Sequence, residues 1–108
     1  MERRYKRGME NHLRDSEMGV IANSQLDEEA LTTLNQRIGS WITAGGGTVA
    51  NTNVWGRRTL MYMINKQTAG IYVQFNFQLD PAASRELDRS LRIDEQVIRH
   101  MIIRLDEE

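Results

Sequence analysis

The chain has 108 residues, 40% apolar and 27% charged, with one proline and no cysteine. That length suits one domain with one core, and the missing thiols exclude disulfides and thiolate metal sites, so packing must supply the stability. Fourteen Lys and Arg stand against fifteen Asp and Glu, a net charge of −1, which excludes binding nucleic acid through a global field and leaves local contacts by a few arginines.

Residues 1–14 lack periodicity and carry Arg3, Arg4, Lys6, Arg7 and Arg14 against Glu2 and Glu10, the composition of a flexible basic leader. The leader has no apolar signal segment, and the chain has no apolar run of membrane-spanning length, so no membrane is expected and the cytoplasm is the expected compartment. From Glu17 a first strand is predicted, with Met18, Val20 and Ala22 on one parity and Gly19 and Ile21 on the other. Asp27, Glu28 and Glu29 then supply helix-capping carboxylates, and Leu31, Leu34, Ile38, Trp41 and Ile42 recur at spacings of three and four. This predicts a helix that Gly45, Gly46 and Gly47 end.

Residues 48–66 are rich in Val, Thr, Trp, Tyr and Ile and predict a long strand bent at Gly56, with Leu60, Tyr62 and Ile64 on one parity and Thr59, Met61 and Met63 on the other. Lys66 to Gly70 reads as a hairpin loop. The third strand should send Ile71, Val73, Phe75 and Phe77 to the helices and Tyr72, Gln74, Asn76 and Gln78 to the opposite face. Asp80 followed by Pro81 starts a second helix with Ala83, Leu87 and Leu91 as its buried stripe. Residues 97–104 form a last strand with Val97, Met101 and Ile103 on one parity and Ile98 and Ile102 on the other, and Asp106, Glu107 and Glu108 make an acidic tail. The order βαββαβ predicts an α+β, ferredoxin-like split βαβ domain over residues 15–105, with a four-stranded antiparallel sheet and two helices on one face. The opposite face is left open for function.

Catalytic chemistry finds few residues to work with. Nucleophilic catalysis needs an activated nucleophile, yet the chain has no Cys and only His12 and His100, so His100 reads as a surface or partner-contacting residue. No helical pair of histidines offers a zinc site, and no cofactor is expected. Gly45 to Gly47 follow a helix and precede a strand, the reverse of a phosphate loop. An RNA-recognition motif shares the element order, but it stacks bases on exposed third-strand aromatics, whereas Phe75 and Phe77 fall on the core parity. An acylphosphatase-like enzyme would need a glycine-rich loop between the first strand and first helix, and residues 22–27 contain no glycine.

Trp55-Gly56-Arg57-Arg58-Thr59-Leu60-Met61-Tyr62-Met63-Ile64, followed by Gly70-Ile71-Tyr72-Val73, resembles the signature of bacterial small-subunit ribosomal protein six. Glu17 to Ile21 leading to Leu26-Asp27-Glu28-Glu29, and Leu91 to His100 near the end, resemble the same family in the right order, over about residues 15 to 105. The family usually has Tyr where Ser16 stands, Ala at Met61, and Pro or a polar residue at Met63. The resemblance implies a non-enzymatic constituent of the 30S ribosomal subunit that binds central-domain 16S rRNA together with small-subunit ribosomal protein eighteen.

On that reading Arg57, Arg58, Arg92, Arg99 and Arg104 are the expected phosphate contacts. Trp55, Met61, Tyr62 and Met63 are the expected surface for the protein partner, the two methionines being exposed because their parity opposes Leu60 and Ile64. The free chain is expected to be a monomer. The alternative is a stand-alone ferredoxin-like domain that senses a ligand or dimerises through its open face.

Overall fold

The computed structural model describes residues 13–64 and 67–105. Its elements are β1 (Arg14–Asn23), α1 (Glu28–Ala44), β2 (Thr48–Ile64), β3 (Gln67–Leu79), α2 (Pro81–Ile93) and β4 (Val97–Arg104). The strands form one sheet in the order β2-β3-β1-β4, and every neighbouring pair is antiparallel. Each helix therefore joins two parallel strands with a third between them, which is the split βαβ arrangement.

The two central strands supply most of the inner face. Met18, Val20 and Ala22 of β1 and Ile71, Val73, Phe75, Phe77 and Leu79 of β3 bury against Leu34, Ile38 and Ile42 of α1 and Leu87 and Leu91 of α2. Each fully buried side chain of this size contributes roughly 1.5–3 kcal/mol of burial energy. The alternation expected for β3 is present, with Tyr72, Gln74 and Asn76 on the other face. Trp41 and Ala83 are only partly buried at the rim of the core.

The helix ends follow local chemistry. The Asp27 carboxylate accepts from the Ala30 amide at 2.8 Å, and that of Asp80 accepts from the Ala82 amide at 2.9 Å with Pro81 at the first helical position. At the end of α1, Gly46 takes a positive φ of 88°, and the amides of Gly46 and Gly47 donate to the carbonyls of Thr43 and Ile42. Gly47 is needed for a second reason: a Cβ there would lie 2.2 Å from the Gln78 carbonyl oxygen.

Four expectations are corrected. The first strand starts at Arg14 rather than Glu17, so it takes in the last residue of the expected leader; residues 1–12 and the tail 106–108 lie outside the described residues. The third strand starts at Gln67, where Ala69 pairs with Thr59 and Gly70 with Arg58, so most of the expected hairpin loop is ladder; Lys66 lies outside the described residues. Ladder bonds are made by backbone, so the polar ends of a hairpin pair without any apolar alternation. Leu60 is buried but belongs to the open side of the sheet, where the missing side chain of Gly70 leaves room for Ile21 and Leu60. In β4, Ala22 pairs with Val97 and Ile21 with Arg99, so Ile98 is an extra, bulged residue. The bulge puts Val97, His100 and Ile102 toward the helices and Arg99, Met101 and Ile103 on the open face, which separates Val97 from the two residues that share its parity.

Candidate functional site

The open face is a shallow apolar depression. Gly19 forms part of its floor, where a Cβ would meet nothing within 4 Å, and Ile21, Tyr72, Trp55, Met101 and Ile103 surround it. Trp55 is 55% exposed, Met101 60% and Ile103 47%, so three large apolar side chains meet solvent on one face. Trp55 reaches this face because it is the extra residue of a second bulge: Val54 pairs with Val73, Gly56 pairs with Tyr72, and Gly56 adopts a φ of 98°. Polar groups edge the depression. Gln74 Nε2 donates to the Glu17 carboxylate, and the exposed Arg99 lies near Met101. The side chains of Met61, Tyr62 and Met63, expected on the partner surface, lie outside the described residues.

The five arginines expected to meet phosphate do not form one group. Arg57 pairs across β3 with Ile71 and so points to the helix side, where its Nε and Nη2 donate to the carbonyls of Ser24 and Leu26 at 3.0 and 2.9 Å. Its planar fork thus fastens the β1–α1 loop to the hairpin. Arg58 holds its guanidinium 5.9 Å from the Trp55 ring centroid, a cation–π arrangement, and Nη2 donates to the Trp55 carbonyl at 3.4 Å. Arg99 belongs to the open face. Arg92 and Arg104 come together on the other side of the sheet, in a groove between α2 and β4 that Arg85 and Arg89 also line.

His100 is not the surface residue expected. Its side chain is 12% exposed, and Nε2 lies 2.7 Å from Asp88 Oδ1, because the β4 bulge turns it toward α2. Asp88 also accepts from Arg92, one turn along the helix. The hydrogen bond from His100 and the nearby Arg92 charge hold the Asp88 carboxyl below the usual aspartate value, against the opposing effect of burial.

Sequence reasoning missed two features. Arg37 donates to Asp94 Oδ2 from both Nε and Nη2, at 3.1 and 2.8 Å, and to Gln96 Oε1 at 2.9 Å, tying α1 to the α2–β4 turn. Its partners lie more than 50 residues away, so no local pattern betrays the contact. Arg85 and Arg89 did carry a signal, since with Arg92 they repeat at i, i+4 and i+7. Among the described residues no three His, Cys, Asp or Glu side chains gather to hold a metal, and no helix is long and apolar enough to cross a membrane.

A four-stranded antiparallel sheet with both helices behind it and a bare apolar front defines a ferredoxin-like α+β domain. The comparisons narrow that class. Residues 17–104 match the family model of ribosomal protein S6, so the chain belongs to the ribosomal protein S6 family. Small ribosomal subunit protein bS6 of Clostridium acetobutylicum is 49% identical over 86 residues, covering 80% of this chain and 90% of the relative. The protein of the same name from Micrococcus luteus is 41% identical over 96 residues, 89% of this chain and 95% of the relative. The crystal structure of 30S ribosomal protein S6 from Thermotoga maritima superposes with a TM-score of 0.81 at 26% identity, covering 86% of this chain and 88% of that one.

Proposed function

We propose that this chain is a non-catalytic structural constituent of the small ribosomal subunit, working on the ribosome in the bacterial cytoplasm, and that it binds central-domain 16S rRNA together with small-subunit ribosomal protein eighteen. Membership of the ribosomal protein S6 family across residues 17–104 carries the reading. The geometry supports it in two ways. A bare front that exposes Trp55, Met101 and Ile103 suits a protein partner, with Met61, Tyr62 and Met63 proposed as part of the same contact. Arginines at the margins suit phosphates, and a near-neutral chain that docks partly through a protein partner needs few of them. Arg58, Arg92, Arg99 and Arg104 are proposed to make those contacts, while Arg57 holds the loop beside them.

The test is to tag the chain in cells and follow it on a sucrose gradient. Co-sedimentation with the 30S particle is expected, and a chain that stays at the top of the gradient refutes the proposal. The exposed apolar front also suits the second reading, a domain that pairs with its own copy. Sedimentation equilibrium of the purified chain separates the two, with a monomer expected.

A further inference from the structure

The groove between α2 and β4 lies behind the sheet, away from the apolar front, and its wall is built of arginines. Arg85, Arg89 and Arg92 share one stripe of α2, and Arg104 stands across from them at the end of β4, on the parity of Ile102. In a chain whose net charge is −1, four cations have been gathered at one place. Among the described residues Asp88 is the one acid lining the groove, and its carboxylate is already engaged by His100 and Arg92. Arg85 and Arg89 are exposed and make no hydrogen bond or ion pair with any other described residue.

We infer that this groove docks the sugar-phosphate backbone of an RNA helix, with Arg85 and Arg89 as its principal contacts and Arg92 and Arg104 flanking them. The inference rests on the ribosomal reading and specifies which surface meets RNA. Three observations favour it. Neighbours on a helical stripe stand roughly 5–6 Å apart, and Arg85 to Arg92 spans about 10 Å of helix, so the contacts run along a strand rather than converge on one anion. Guanidinium groups bind phosphate in bidentate fashion, and double-stranded RNA is recognised largely through its backbone and shape. Among the described residues no large apolar side chain that lines the groove is exposed, whereas the front exposes three, so the groove lacks the anchors a protein partner would use. The two faces can then be occupied together, protein in front and RNA behind.

Photo-crosslinking tests this in the assembled particle. Tagged chains carrying p-benzoylphenylalanine in place of Arg89, or in place of Met101, are expressed in cells, and irradiated 30S subunits are isolated. Ribonuclease-sensitive crosslinks to rRNA are expected from position 89 and protein crosslinks from position 101. A position-89 chain that enters the subunit yet crosslinks to protein, or to nothing, overturns the groove assignment. A parent chain absent from the subunit overturns the ribosomal reading and the groove with it, whereas a folded position-89 chain that is absent where the parent enters shows the loss expected of a principal contact. The charge variant Arg85→Gln/Arg89→Gln gives a second measure on rebinding to subunits stripped of the chain. Loss of two phosphate contacts should reduce the log–log salt slope by about 1.5. An unchanged slope, in a variant whose thermal unfolding matches that of the parent, refutes the assignment.

Discussion

Asp88 sits between two donors on different elements, so its charge is linked to stability. Its carboxyl lies below the ordinary aspartate value when folded, because the His100 hydrogen bond and then Arg92 favour the anion. A depressed folded-state value means that the contribution is present above the unfolded aspartate range and disappears as pH falls through the folded-state value. Asp88→Asn is therefore expected to lower the urea midpoint at neutral pH, and the gap to the parent should narrow on acidification below the normal aspartate range. A gap that stays constant with pH contradicts this account. Two glycines make a sharper contrast. Gly47→Ala drives a methyl group against the Gln78 backbone and Leu79, and should cost about 1–3 kcal/mol by urea unfolding. Gly19→Ala meets nothing and should be neutral or stabilising, since glycine in a strand is worth roughly 0.5–1 kcal/mol less than alanine. Neither result was legible in the sequence, which marks both residues only as glycine. The same holds for Arg57: its neighbourhood in the sequence suggests a free cation, and only the approach of the Ser24 and Leu26 carbonyls, some 30 residues back, shows a fastening.

Whole elements were more readable, because periodicity is a property of many residues at once. The α1 stripe and the β3 alternation both survive in the structure, since each buries one continuous face on the core. What failed were ends and registers. Ser16, Gln67 and Thr68 carry strand backbone without an apolar rhythm, and the Ile98 bulge reassigns the second half of β4 to the opposite side. The joint between elements is the other thing that patterns miss. Arg37 binds Asp94, whose side chain is only 10% exposed, and removing the guanidinium leaves that carboxylate half-satisfied. Arg37→Ala should lower stability by about 1–2 kcal/mol. A double-mutant cycle with Asp94→Ala checks it, and additivity of the two losses would show that the pair contributes nothing.

At the scale of the molecule the fold sorts chemistry by side: apolar surface on the front of the sheet, and a cationic groove behind it. That sorting predicts separable defects. Met101→Glu places a charge in the front depression without touching the core, so it should weaken the proposed capture of ribosomal protein eighteen by about tenfold or more while leaving thermal unfolding unchanged. Equal capture by pull-down would remove the front from the interface. The strand order has a further consequence, in time rather than space. β1 comes first of the four strands in the chain, yet one of its two neighbours in the sheet, β4, comes after all the others. Until β4 has emerged and paired, the half-built sheet presents β1 as a raw border, an unpaired strand of the kind that recruits other chains. A chain cut short before Val97 would therefore be a sticky fragment instead of a smaller version of the domain.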